Sequence, residues 1–354
     1  MKLRRRRDED DDLWADDPLW SDDGWDEDDS GRRPRRWLWL LLLALVVALG
    51  VGGLLWGRLD NRVSLAPTPR PVASLVATPS PTPLLSGVTR IASDATPAAA
   101  PFDPAALTAL MLDLINADRA AANLSPVAWD ETATAAGLAH AADMVARDYF
   151  SHWNPDGLGP DHRYSAAGGR HTSMENLHAF SYTFEDGRAA PIDDWAAIIR
   201  NAQTGLMQSP GHRANILDPA HTHVGIGMAY NPTTGQFRLA QEFTNQYAVL
   251  DPPLPAEARA GDTLHMAGTF SAAARGNAIL DLAYEPFPAP LSAAELAARS
   301  TYSSPAESID TRGVGLTFDE TLVLPDAPGF YHVRLFVDLA SGQALVVDQV
   351  VAVR

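Results

Sequence analysis

Two histidines and a glutamate, each held in a turn-rich segment, are the residues of this chain best suited to chemistry. His152 follows Tyr149-Phe150-Ser151 and precedes the turn signal Asn154-Pro155-Asp156-Gly157. Glu175 heads Glu175-Asn176-Leu177, after a loop containing Gly168-Gly169. His212 stands in Ser209-Pro210-Gly211-His212-Arg213-Ala214-Asn215-Ile216-Leu217, where Ser-Pro-Gly marks a place for a helix to begin or end. Two neutral imidazoles and a carboxylate suit zinc or another divalent cation, and water on such an ion could become a nucleophile. Without metal, a histidine is the natural proton acceptor near neutral pH. The same groups serve equally as a polar network that fixes loops. Singly, each histidine reads as a surface or capping residue, and Glu175 as a cap or a partner of Arg163 or Arg170. Ser151 adjoins His152, but adjacency is not a triad and no third member is evident. His221-Thr222-His223 has the spacing of a strand-face pair and reads as surface.

The bulk composition narrows the function. The chain has 354 residues, more than one typical domain, and 46% of them are hydrophobic. Its net charge of −17 argues against nucleic-acid binding. There is no cysteine, so disulfides, thiolate metal sites and cysteine nucleophiles are excluded. A cysteine-free exported domain points to a prokaryotic source. In that setting the glycosylation-type tripeptide Asn123-Leu124-Ser125 carries little weight.

The chain divides by texture. Residues 1–36 carry thirteen acids against nine bases and read as a disordered acidic tail, with Trp14, Trp20 and Trp25 interrupting the charge. Residues 37–56 are twenty residues without a charge, enough for a helix of about 30 Å across a bilayer. Tryptophans lie at both ends and arginines flank it, so the positive-inside rule puts the N-terminus in the cytoplasm and residues 57–354 outside. A cleaved signal peptide is the rival, disfavoured by the long acidic leader and by Pro67 behind Ser64-Leu65-Ala66. Residues 57–101 read as a Pro-rich spacer.

Residues 102–250 form the first globular part. Asp103-Pro104 is an N-cap signal, and Leu107, Leu110, Met111, Leu114 and Ile115 follow at helical spacing up to Asn123 and Pro126. Further helices are predicted over 130–147 and 193–207, and strands over 224–230 and 237–243, joined by the hairpin loop 231–235. Residues 251–354 read as a small all-β sandwich, with strands near 263–269, 278–284, 315–324, 331–339 and 344–353.

The motifs of the first globular part resemble the CAP superfamily, also called SCP domains. They run in order: Leu114-Ile115-Asn116-x-x-Arg119, Leu124-x-Pro126-Val127-x-Trp129-Asp130, Ala139-His140-x-x-Asp143-Met144 and Phe150-Ser151-His152 with Pro155-Asp156-Gly157. Then follow Arg163-Tyr164-x-Ala166-Ala167-Gly168, Glu175-Asn176-Leu177, Ser209-Pro210-Gly211-His212-Arg213-x-Asn215-Ile216-Leu217, Val224-Gly225-Ile226-Gly227 and Gln241-Glu242-Phe243. The Ser-Pro-Gly-His-Arg-x-Asn form resembles the bacterial branch. The resemblance implies an α+β fold, an α-β-α sandwich whose central cleft in many members gathers two histidines and two glutamates. His152, His212 and Glu175 fall on three of those positions. The second glutamate has no clean counterpart; Asp193, Asp194 and Glu242 are the nearby carboxylates. Met174 stands where the family often has glycine.

The expected protein is a bitopic membrane protein, anchored through residues 37–56, with an exported CAP-like domain and a β-sandwich. Its cleft, drawn from His152, Glu175, Asn176, His212, Arg213, Asn215 and Glu242, is expected to bind a small ligand, lipid, glycan or peptide. Zinc or another divalent ion is a further expectation, on His152, His212 and Glu175. The alternatives are a metal-dependent hydrolase of cell-envelope material, with Glu175, His152 and His212 as its catalytic residues, and a cell-surface scaffold or adhesion protein.

Overall fold

The computed structural model describes residues 3–6 and 100–354, apart from residues 185 and 300. The apolar segment 37–56 and the spacer 57–99 lie outside the described residues. Among the described residues, no helix is long and apolar enough to cross a membrane.

A short strand β1 (Leu3–Arg6) is followed by helix α1 (Pro104–Ala121), strand β2 (Ala128–Trp129), and helices α2 (Glu131–Arg147) and α3 (Pro160–Ala166). Strand β3 (Ser173–Phe184), helices α4 (Trp195–Gln208) and α5 (Pro210–Ile216), and strands β4 (His223–Tyr230) and β5 (Gln236–Thr244) complete the first layer set. The caps follow the local sequence. Asp103, Asp130 and Asp194 each accept a backbone N–H in the first turn of α1, α2 and α4. Asn123 (φ 59°) and Asp148 (φ 52°) take the left-handed conformation just past α1 and α2.

The sheet runs β1-β3-β5-β4-β2, and strand alternation sorts its two faces. Val224, Ile226 and Met228 of β4 join Phe237, Leu239 and Phe243 of β5 in one core with Leu107, Met111 and Ile115 of α1 and Trp195, Ile199 and Leu206 of α4. The intervening Gly225 and Gly227 face the other side, where α2 lies against the strand. A β-carbon on Gly227 would sit 2.0 Å from the backbone of Gly137, and one on Gly225 would sit 2.1 Å from that of Thr134. This is the helix–sheet–helix layering the family resemblance implies. Leu3–Arg6, assigned from sequence to an unstructured tail, pairs antiparallel with Ser181–Phe184 at the sheet edge.

The C-terminal part is two packed sheets. The larger runs β10 (Glu307–Val314), β9 (Arg275–Glu285), β12 (Gly329–Leu339), β13 (Gly342–Val353), β7 (Glu257–Ala258); the smaller is β11 (Thr317–Val323), β8 (Thr263–Phe270), β6 (Ala248–Leu250). Leu264, Met266, Leu280, Leu282, Val333 and Leu335 lie in the core between them. The five expected strands are present. Strand β10 was not foreseen, because Glu307–Thr311 is exposed and lacks the apolar alternation that marks a half-buried strand. Strand β6 pairs with β8, so the sandwich begins at Ala248 rather than after residue 250.

The two parts are packed together. Val350 N–H donates to Ser165 Oγ (3.0 Å), Asn245 Nδ2 to the Leu345 carbonyl (2.9 Å) and Leu291 N–H to the Pro155 carbonyl (2.8 Å). The β9–β10 connection carries a short helix, α6 (Ala293–Ala297). Leu291, Leu296 and Tyr302 from this connection pack with Met144, Tyr149 and Trp153.

The close approach of α2 to β4 predicts that Gly227→Ala costs at least about 3 kcal/mol in urea unfolding, since rigid backbone, not a side-chain tip, would have to move. Gly313→Ala, in open space on exposed β10, should be nearly neutral.

Candidate functional site

Antiparallel pairing of β3 with β5 sets Glu175 directly opposite Glu242. Both residues alternate onto the α2 side, where Glu242 Cγ lies beside Gly137. Helix α3 brings Arg163 against them. The Arg163 guanidinium donates to Glu175 Oε2 (2.7 Å) and to the carbonyls of His152 (2.7 Å) and Leu158 (3.0 Å). The other oxygen, Glu175 Oε1, accepts from His152 Nδ1 at 2.8 Å. His140 of α2 bonds the Ser151 carbonyl at 3.0 Å and stands 3.8 Å from Glu175 Oε2. Ser173 Oγ donates to Glu242 Oε2 at 2.7 Å.

The charges explain the protonation pattern. Two buried carboxyls share one guanidinium, so both cannot ionise cheaply. Burial, and then the neighbouring Glu175, push Glu242 well above the usual carboxylate range. Burial also raises Glu175, but Arg163 opposes the shift. The negative charge therefore rests on Glu175, bonded by Arg163 and His152, and the proton on Glu242. Burial and the charge of Arg163 hold His140 well below its ordinary value, hence neutral. The carboxylate on His152 Nδ1 holds that ring in orientation.

His212 approaches from α5. Burial and the nearby His152 lower it to about 4. The helix is held by buried polar groups that the motifs supply. Asn176 Nδ2 donates to the His212 carbonyl (3.1 Å), and Asn215 Nδ2 to Asn176 Oδ1 (2.9 Å). The fully buried Arg119 donates to the carbonyls of Ile216 (2.7 Å), Asp218 (2.9 Å) and His221 (3.2 Å) just past α5. Asn116 pairs with both backbone groups of Val127 at 3.0 and 2.8 Å.

The structure thus brings His152, Glu175 and Glu242 together with His212 alongside, and corrects several expectations. Asn176 and Asn215 anchor α5 to the sheet, and Arg213 is exposed. Asp194 caps α4 and, with Asp193, is exposed, so Glu242 is the second carboxyl beside Glu175. His221, read as surface, is buried between Asn215 and Asn245 (both 2.8 Å) and stacked on Phe243. It escaped notice because the turn before β4 shows no apolar period. Arg163, one of the two arginines named as a possible partner of Glu175, is that partner. His140 was quoted only within a motif, and its place beside Glu175 follows from the packing of α2 on the sheet.

The expected metal set does not fit a metal. Glu175 has both oxygens engaged by cationic or N–H groups. Among the described residues, His152, His212 and Glu175 do not bring three ligand atoms within 4.8 Å of one another. The buried His/Asp/Glu groups that could hold an ion lie elsewhere. An open cleft of about 430 Å³ is lined by Asp130, Tyr164, Arg170, His171 and His223 among others, and by none of the candidate residues.

Two outcomes follow from the site's electrostatics. Glu242→Gln, which keeps the neutral form already present, should change stability by under about 1 kcal/mol. Arg163→Met, which strands the Glu175 charge, should cost about 3–5 kcal/mol. Equal costs in urea unfolding would contradict the proton assignment. The second concerns acid. His212 and His171 are both lowered to about 4, chiefly by burial, from an ordinary 6.5. The unfolded chain takes up these protons first as pH falls from 6.5 toward 4, so stability declines through that window. Unfolding midpoints should fall less steeply across that window in the His171→Gln, His212→Gln double variant, with the remainder due to other lowered histidines such as His140.

Comparison with known proteins agrees with this architecture. Residues 112–247 match the cysteine-rich secretory protein family, CAP. The uncharacterized Bacillus subtilis protein YkwD is 31% identical over 133 residues, 37% of this chain and 46% of that protein. The B. subtilis membrane protein YlbC is 30% identical over 125 residues, 33% of this chain and 30% of that protein. The chain thus spans less than half the length of either relative. An extracellular SCP-domain protein from Bacillus anthracis is a structural neighbour at 26% identity and a TM-score of 0.31, covering 41% of this chain and 44% of that one. Residues 112–247, which the family model matches and over which the ordered motifs run, form the CAP-like domain of this chain.

Proposed function

We propose that this is an extracytoplasmic CAP-domain protein that binds a small polar ligand of the cell envelope, a glycan or peptide fragment or a lipid headgroup, at His152 and His212. The observation that carries the reading is the pair of imidazoles. His152 is oriented by a buried carboxylate, and His212 is neutral, half-buried and adjacent. Among the described contacts, the His212 ring nitrogens have no hydrogen-bond partner. The neutral His212 imidazole can accept from hydroxyl and amide N–H groups, with the oriented His152 ring beside it. Binding is favoured over hydrolysis because neither carboxyl suits a general base: Glu175 is tied to Arg163 and His152, and Glu242 holds its proton. The sandwich connection packed over Tyr149 and Trp153 gives the scaffold reading some support as well, since it offers a surface continuous with the site.

The anchored topology belongs to the same proposal. It rests on the charge-free stretch 37–56 and its flanking arginines. A single crossing puts the N-terminus and the domain on opposite sides, so the anchored form proposed here has Leu3–Arg6 released from its pairing with β3.

Calorimetric titration of the purified full chain with soluble cell-wall glycopeptide fragments, and with phosphatidylcholine vesicles, tests the binding. At least one probe should bind, and His152→Ala and His212→Ala should each weaken it by roughly tenfold, about the value of one hydrogen bond left unmade. Binding that ignores both substitutions would reject the site, and turnover of the fragments that stops in Glu175→Gln would favour the hydrolase instead.

A further inference from the structure

Helix α3 meets the sandwich through a second polar cluster that the CAP site does not use. Asp161 and His162 of α3 face Glu285 of β9, His332 of β12 and Asp348 of β13, and all five are buried, none more than 5% exposed. His162 Nε2 lies 2.5 Å from Glu285 Oε1. His332 Nδ1 bonds Asp348 Oδ1 at 2.9 Å and stands 3.6 Å from Asp161 Oδ2. The two imidazole rings are 5.3 Å apart and nearly perpendicular. One ligand atom from each of His162, Glu285 and His332 falls within 4.8 Å of the others, and the same holds for Asp161, His332 and Asp348.

The cluster is incomplete in a specific way. Glu285 Oε2, Asp161 Oδ2 and His332 Nε2 are buried and have no hydrogen-bond partner. Leaving such groups unpaired is costly. Two of these atoms are carboxyl oxygens and can only accept when ionised. The third is a nitrogen of a ring whose Nδ1 bonds Asp348. A cation is one way to complete buried carboxyl oxygens and an imidazole nitrogen left without partners. Carboxyls outnumber bases here: Asp161, Glu285, Asp348 and Asp281 face Arg334, which reaches Asp348 (3.5 Å) and Asp281 (3.7 Å), and His162, which lies against Asp161 and Glu285.

We propose that His162, Glu285 and His332 bind one zinc-class divalent cation that fastens the CAP domain to the β-sandwich. Two imidazoles with carboxylates suit zinc, whereas calcium and magnesium prefer oxygen alone. The outer partners match a built site: Asp348 orients His332, and Tyr302 donates to Asp161 Oδ1. The ligands come from both sides of the junction, so binding would draw on the docked state and strengthen it. The inference is independent of the proposed ligand at His152 and His212.

Zinc uptake by the chelator-stripped full chain tests this, read by mass spectrometric metal content and by the visible spectrum after cobalt substitution. The wild type should take up one zinc per chain, give tetrahedral cobalt bands and gain thermal stability on zinc addition. His332→Gln and Glu285→Gln should each bind more than about 100-fold more weakly, while the His152→Gln, His212→Gln double variant keeps full uptake. If His332→Gln fails to fold, Asp348→Asn, which leaves every ligand in place, should still show a loss of about 10–100-fold. No uptake by the wild type at micromolar free zinc, unchanged uptake in Glu285→Gln and Asp348→Asn, or loss confined to the His152/His212 variant would each overturn the proposal.

Discussion

One buried guanidinium between two carboxyls is the constraint around which the CAP domain is arranged. Arg163 satisfies Glu175 and reaches the carbonyls of His152 and Leu158, and by doing so fixes the loop that presents His152. The β3–β5 register decides which carboxyls meet, because Glu175 and Glu242 are directly opposed. A one-residue slip of β3 would turn Glu175 onto the α1–α4 face, among Phe237 and Leu239 and away from Arg163. The ion pair is therefore better understood as a specifier of register and loop position than as a source of net stability.

The same economy of buried polar groups runs through the rest of the fold. Arg119 has no carboxylate bonded to it; its donors go to carbonyls beyond α5, which hold the segment carrying His212. Asn116, Asn176 and Asn215 do similar work at chain crossings that no regular element covers. Much of the family-like motif pattern is thus scaffold chemistry that holds the segments carrying the two imidazoles. At the sandwich junction the accounting does not close with protein atoms alone, and the unpaired polar atoms there contrast with the well-matched bonds around Arg119.

The elements were legible where a periodic apolar face had to be buried. The helices and the main strands announced themselves through spacing, capping aspartates and turn residues. Strand β10 did not, because an exposed edge has no apolar alternation to show. Edge pairing through backbone alone likewise left no mark on Leu3–Arg6. For the site, His152, Glu175 and His212 could be found from their turns and motifs. Their metal role could not be judged, because it depends on which neighbours take up each oxygen and nitrogen.

By itself the sequence determined the layered class of the CAP domain, the all-β character of the C-terminal part and the residues that anchor loops, since these follow from local periodicity and from polar side chains in apolar surroundings. Only the tertiary structure decided that Glu242, not Asp193 or Asp194, partners Glu175, that His221 is buried, and that Asp161 and His162 meet Glu285 and His332 across more than a hundred residues. Sequence spacing carries no record of such distant encounters. They are fixed by strand register and by the docking of one domain on another.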